Sequence, residues 1–321
     1  MLSLGPFQGI TDAPFRNVFK QHFGGIDKFY TPFFTGIQKD HAKNLQVEEI
    51  DPRCNDVEHL TPQILSTDAE EILRFATQCK QLGYKEINLN MGCPFPRVAN
   101  KKRGSGFLPY PERVDEVFSA LFERIDVKFS VKCRLGYFSP DEIHPIIEVF
   151  NKYPLSELII HPRIGKQLYK GEADVERFKA LIPNIKAPLV YNGDIVSVES
   201  FQRISSMVQP VGDFMLGRGL LSNPFLAEDI KGFEPESVEK RKQRLHDYVL
   251  DLYEERLRHA GGSPKVLGRM KELWSYMKDS FDESQDIWRK IKKINALKEY
   301  EEAVEDVFRF ATLTNSFHTN S

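Results

Sequence analysis

Short runs of β-branched and aromatic residues recur through the first two thirds of the chain at intervals of roughly 25 to 40 residues, with amphipathic stretches between them. Strands are predicted over residues 2–5, 28–31, 60–65, 86–90, 128–132, 157–161, 189–192 and 213–216, and segments such as 69–82 and 111–124 repeat apolar positions at helical spacing. Eight strand-then-helix units predict a closed α/β (β/α)8 barrel, the TIM-barrel architecture. An open doubly wound sheet would carry a Gly-rich turn after the first strand, and Gly5-Pro6-Phe7-Gln8-Gly9 does not match one. Past about Phe233 strand-like runs and interior glycines thin out. Helices are predicted over 238–260, 266–281, 284–294 and 299–310, the first two separated by Gly261-Gly262-Ser263-Pro264. The chain thus divides into a barrel domain, 1–235, and a small α-helical domain, 236–321, whose last residues, 314–321, are expected to fray.

Hydrophobic residues make up 41% of the 321 and charged residues 28%, with 24 Phe, which excludes wholesale disorder. No apolar run approaches the roughly 20 residues of a membrane span, and the N-terminus lacks the basic segment and long apolar stretch of a signal peptide. A cytoplasmic protein without membrane association is expected. The 44 basic and 46 acidic residues leave a net charge of −2, so a nucleic-acid partner would have to be held by a local patch. Cys54, Cys79, Cys93 and Cys133 form no Cys-x-x-Cys pair and the histidines no His-Glu-x-x-His pattern, so no metal site is expected.

Barrel enzymes build their sites at the C-terminal ends of the strands. Here those ends are polar: Gln63; Asn88 to Asn90, running into Gly92-Cys93-Pro94; Lys132-Cys133-Arg134; His161-Pro162-Arg163; Asn192-Gly193-Asp194; and Gly217-Arg218-Gly219. The last two sets read as a phosphate site, with Gly193, Gly217 and Gly219 admitting backbone N–H groups to an anion, Arg218 adding a charged fork, and Ser222-Asn223-Pro224 opening a helix. Alternation in 127–132 turns Lys132 into the barrel, where it can form a Schiff base or hold charge against an electron-rich ring. His161 can hydrogen-bond the same ring or its phosphate. Cys93, just past a strand end, suits a general acid or a nucleophile. Residues 95–107, with Gly104, Gly106, Arg97, Lys101, Lys102 and Arg103, read as a mobile loop closing over an anionic substrate.

These residues resemble the tRNA-dihydrouridine synthases, flavin enzymes that reduce uridines in tRNA. The matching stretches are Gly9-Ile10-Thr11-Asp12-Ala13-Pro14-Phe15-Arg16, residues 88–94, Val131-Lys132-Cys133-Arg134-Leu135-Gly136, Gln167-Leu168-Tyr169-Lys170-Gly171, Asn192-Gly193-Asp194-Ile195, and Gly217-Arg218-Gly219 through Asn223-Pro224. Arg269-Met270-Lys271 with Trp274 and Tyr276 is similar to the family's helical tRNA-binding domain. The resemblance implies FMN held by Pro6, Phe7, Gln63, Lys132, His161, Asn192, Gly193, Asp194, Gly217 and Arg218, with Cys93 as proton donor and NADPH or NADH as reductant. Asn90, Arg97, Lys101 and Arg134 are then expected to meet the substrate.

The helical region balances its charge, so it must cluster cations to hold RNA. Two clusters stand out: Lys265, Arg269 and Lys271, and Arg289, Lys290, Lys292 and Lys293 beside the apolar Ile287, Trp288, Ile291 and Ile294. A D-loop uridine in tRNA is the expected target of a protein that is otherwise monomeric. The competing readings are an FMN reductase of a free pyrimidine, akin to dihydroorotate dehydrogenase, a Schiff-base lyase, and a flavin-free tRNA-binding barrel.

Overall fold

The structure, a computed structural model, describes residues 1–37, 47–259 and 262–314. Its parallel strands are β1 (Leu2–Leu4), β2 (Lys28–Tyr30), β3 (Leu60–Thr61), β4 (Gln63–Ile64), β5 (Glu86–Met91), β6 (Lys128–Gly136), β7 (Glu157–Ile164), β8 (Leu189–Tyr191) and β9 (Asp213–Leu216). They form one nine-stranded sheet in the order β3-β2-β1-β9-β8-β7-β6-β5-β4. The two edges, β3 and β4, are a single extended segment divided at Pro62, which has no N–H to give a ladder. The sheet therefore closes on itself, and the eight-stranded barrel expected from the sequence is the fold.

The helices α1 (Ala13–His22), α2 (Ala69–Gln81), α3 (Pro96–Ala99), α4 (Pro111–Phe122), α5 (Ile143–Phe150), α6 (Val175–Leu181), α7 (Val198–Met207), α8 (Arg218–Ser222) and α9 (Leu226–Lys231) alternate with the strands. Asp12 caps α1, its carboxylate accepting from the Phe15 N–H at 3.2 Å, with Pro14 in the first turn. Along β6 one parity, Phe129, Val131 and Cys133, is buried in the hydrophobic core that the helices share. The other parity enters the barrel, which is filled in layers. At its N-terminal end Lys28 pairs with Glu86 (3.1 Å) and Glu157 (3.3 Å), and the Tyr30 hydroxyl donates to Glu157. Tyr30, Ile159, Val190 and Met215 form an apolar plug above them. Beside the plug runs a polar chain in which Gln63 donates to Asn88 and Asn88 to Ser130, both at 2.9 Å.

Four more helices follow: α10 (Val238–His259), α11 (Ser263–Met277), α12 (Ser284–Ile291) and α13 (Leu297–Phe310). Their core centres on Trp274, whose indole N–H donates to the Tyr300 hydroxyl at 2.9 Å. α11 begins earlier than predicted, at Ser263 with Pro264 in its first turn, and ends at Met277, where a 3-10 turn (Lys278–Ser280) takes over. Ala260, Gly261 and residues 315–321 of the expected break and tail lie outside the described residues. The rings of Phe15, Phe19 and Phe23 meet Tyr248 of α10 edge-on. Arg256, buried in the same helix, donates to the Ile10 carbonyl (2.9 Å) and to Asp12 (3.3 Å), and Arg269 of α11 closes on the other oxygen of Asp12. Among the described residues no helix is long and apolar enough to cross a membrane.

Candidate active site

Two cavities adjoin at the C-terminal ends of the strands and share Pro6, Phe7, Lys132, His161 and Tyr169. One is walled by the loops after β8 and β9, through Asn192, Gly193, Asp194, Gly217, Arg218 and Gly219. The other reaches Gln63, Asn90, Cys93, Phe95 and Arg134. All the residues assigned to cofactor binding thus converge, and so do Cys93, Asn90 and Arg134.

Four cations stand around His161: Lys132, Arg163 and Arg218 of the first cavity and Arg134 of the second. Burial first, and then their combined charge, hold the imidazole well below its usual value, so it is neutral. Its Nε2 lies 2.9 Å from Nη1 of Arg163, which can only donate; the ring proton therefore sits on Nδ1. Arg163 is buried and forms a fork on Asp194 (2.9 and 2.7 Å), while Arg218 reaches the same carboxylate at 3.1 Å. Asp194 also accepts from the Ala173 N–H, and although burial raises its carboxyl, the arginines bring it below the ordinary range. Asp194 thus positions two arginines. Asn192 likewise commits its amide N–H to the Met215 carbonyl at 2.8 Å.

Gly219 brings the two loops together: a Cβ there would lie 2.2 Å from the Ile195 carbonyl oxygen. The helix expected to open at Ser222-Asn223-Pro224 is instead two, with α8 ending at Ser222 and α9 starting after Phe225, because Asn223 caps the first and its side chain accepts from the Phe225 N–H.

Cys93 is held on all sides. The Asn90 side-chain oxygen accepts from the N–H groups of Gly92 (3.0 Å) and Cys93 (2.9 Å), while its amide donates to Gln63 (2.8 Å). The Cys93 carbonyl accepts from both the N–H and the hydroxyl of Ser105. Arg134, 1% exposed, clamps the carbonyls of Gly92, Ile164 and Leu168, so its side chain ties the end of β7 to two loop positions. Burial pushes the thiol up; the Phe95 N–H, Arg134 and Arg97 pull the other way. Lys132 is depressed to about 8 by burial and by repulsion from Arg134.

Residues 95–107, expected to be a mobile loop, are folded: α3 leads to a 3-10 turn in which Gly104, Ser105, Gly106 and Phe107 are buried. Gly104 (φ +56°) faces Cys93 so closely that a Cβ would stand 2.7 Å from its carbonyl oxygen. Arg97 and Lys101 are exposed on this segment, as are Lys265 and Lys293 on the C-terminal region. Lys271 is half-buried, Arg289 pairs with Asp286, and Arg269 with Asp12.

Four residues of the site received no individual role from the sequence: Arg163, Tyr169 and Tyr276 stand there only inside longer motifs, and Glu272 in none. Tyr169 lies between the guanidinium groups of Arg134 (5.3 Å) and Arg218 (5.1 Å). Arg163 organises Asp194, and Glu272 and Tyr276 of α11 line the cavity of Cys93, with Tyr276 edge-on to Phe7 at 6.1 Å. The signals for the first two were the motif Gln167-Leu168-Tyr169-Lys170-Gly171 and the strand end His161-Pro162-Arg163.

A family model described as Dihydrouridine synthase (Dus) matches residues 3–315. The chain is 29% identical over 286 residues to a Bacillus subtilis protein named Probable tRNA-dihydrouridine synthase 2, a match covering 84% of this chain and 83% of that protein. It is 29% identical over 224 residues to tRNA-dihydrouridine synthase B of Pasteurella multocida, covering 70% of this chain and 66% of that one. With the tRNA-dihydrouridine(16) synthase of Neisseria meningitidis serogroup A it shares 25% identity over 303 residues, covering 91% and 90%.

Proposed function

The chain belongs to the dihydrouridine synthase family, and from that membership we propose that it reduces the C5–C6 double bond of a uridine in tRNA, with FMN as cofactor and NADPH or NADH as reductant. The observation that carries this reading is the joining of a cation-lined cavity to one that holds a protonated thiol.

The residues of the first cavity fit an anionic phosphate-bearing group: Lys132, Arg163 and Arg218 line it against the single carboxylate of Asp194, and the loops at Gly193, Gly217 and Gly219 would bring backbone close to the ligand. Gly193, Gly217 and Arg218 would hold the phosphate. Lys132, the neutral His161 donating through Nδ1, Pro6, Phe7 and the Gln63–Asn90 pair would hold the ring system. Asn192 and Asp194 contribute by fixing β9 and the two arginines. When bound, FMN supplies hydride for C6 of uracil and is recharged by the nicotinamide.

The chain's own residues supply the proton and the charge. Cys93, protonated at neutral pH, donates to C5; Arg134 and Arg97 favour the thiolate left behind, keeping the donor acidic enough to act. Asn90, Ser105 and Arg134 fix the thiol's position by holding the backbone around it. Lys132 holds positive charge against an anionic ring edge, and such an anion would raise its pKa again. Residues 236–321 we assign to tRNA, with Arg97, Lys101, Lys265, Lys271 and Lys293 meeting phosphates and Arg269 acting through Asp12. A D-loop uridine is the target, and the protein works as a cytoplasmic monomer.

The test is direct. Protein loaded with FMN is mixed with NADPH and unmodified tRNA, and dihydrouridine is measured by mass spectrometry. Product in tRNA is expected. Product only from free pyrimidine, or a preparation that cannot be loaded with flavin, overturns the reading.

A further inference from the structure

Phe95 is a large apolar side chain left 48% exposed at the mouth of the cavity that contains Cys93. It is also held still. Pro94 and Pro96 flank it, Pro96 opens α3, and the Phe95 carbonyl accepts from the N–H groups of Val98 (2.8 Å) and Ala99 (2.9 Å). Its own N–H faces the Cys93 sulfur. The backbone of Phe95 thus serves the thiol, while the ring is presented outward from a segment with little freedom to lose on binding. Two and six residues further along, Arg97 and Lys101 are exposed, and among the described residues no carboxylate pairs with either.

A uridine can enter the cavity only if it leaves its stack, and the base beside it then exposes a face to water. An aromatic ring at the rim, with cations spaced along the same segment, matches the recognition of an opened RNA strand: bases stack on rings whatever their identity, and phosphates meet the basic groups. We propose that Phe95 is a base-stacking residue, its ring covering the nucleobase next to the extruded uridine while Arg97 and Lys101 hold the adjoining phosphates. This deepens the tRNA reading above and rests on it. Phe95 is a positioning residue for that reaction, since it touches the neighbour of the reacting base rather than the base itself.

Three variants of the FMN-loaded protein test it: Phe95→Ala, Phe95→Leu and Phe95→Trp. Because the side chain is exposed, all should melt at the wild-type temperature. Phe95→Ala and Phe95→Leu should lower kcat/KM for tRNA by about 5- to 100-fold, the range of one lost aromatic–base stack, with Phe95→Trp near wild type. The introduced indole should be quenched on addition of tRNA, after subtraction of the signal from Trp274 and Trp288. A Phe95→Leu protein as active as wild type overturns the proposal, and so does an indole that tRNA leaves unquenched. Quenching is read whether or not uridine is turned over, so failure of the reductase reading and failure of the stacking role give different results. Quenching by an added protein but not by tRNA would assign the ring to a protein partner and overturn the proposal.

Discussion

Burying the Lys132 ammonium midway along β6 moves it from an ordinary 10.5 to about 8. Between those values the unfolded chain binds the extra proton, so this residue's contribution to stability rises with pH across that window; below about 8 both states are charged and the burial cost stays in full. Lys132→Met should therefore raise the thermal stability of the cofactor-free protein at neutral pH by roughly 1–2 kcal/mol and at the same time weaken FMN binding. Scanning calorimetry with and without FMN checks both; a less stable variant would mean that the charge is already compensated. Cys93 is displaced the other way, toward the protonated form. Cys93→Ala should cut uridine reduction by about 100- to 10,000-fold while NADPH still bleaches the flavin, and the wild-type rate should hold across neutral pH and fall on the alkaline side as the Cys93 thiol loses its proton. Both residues were legible in the sequence, because strand alternation aims Lys132 inward and a Gly-Cys-Pro turn singles out Cys93 among four cysteines. Arg163 was visible only as part of the strand end His161-Pro162-Arg163, and its role was not, since that depends on Asp194, which a different strand delivers.

At the scale of elements, hydrophobic periodicity located the strands and most helices within a few residues, because each buries one face against its neighbours. What periodicity does not carry is the state of a glycine-rich segment. Residues 95–107 look solvated by composition, yet Gly104 to Phe107 fold under the Cys93 turn, held by Ser105 and by the space that missing side chains leave. The third strand shows the same limit: Pro62 splits it, and the split is visible only once both halves find different partners. Gly104→Ala puts a methyl group 2.7 Å from the Cys93 carbonyl at a left-handed φ. It should destabilise the protein by about 1–3 kcal/mol and slow turnover by about tenfold or more through displacement of the thiol. Melting curves and kcat on tRNA decide the matter: unaltered kcat with a lowered melting temperature would show that this turn does not set the position of Cys93.

At the scale of the molecule, one carboxylate joins the barrel to the helices that follow it. Asp12 caps α1 and receives both Arg256, which is buried, and Arg269. Asp12→Ala would leave the Arg256 charge buried without its partner and should cost about 3–5 kcal/mol in urea denaturation. Asp12→Asn keeps a good cap and removes only the charge, so the difference between the two variants isolates the cap; equal losses would mean that the ion pairs carry the whole effect. This knot could not be read from spacing, because its three members are distant in the chain and none sits at a strand end. The cavity around Cys93 is built across the same boundary, with Glu272 and Tyr276 of α11 opposite the loop that follows β1. That has a meaning for recombination. Exchange of the C-terminal helices for those of a related protein would replace the part of the cavity wall that Glu272 and Tyr276 supply, and the hybrid would keep its fit there only if Phe7 travelled with Tyr276, Gly9 with Glu272 and Asp12 with Arg269. These pairs mark where a crossover would be costly: the loop after β1 and α11 are coupled in packing and charge and would have to be exchanged together.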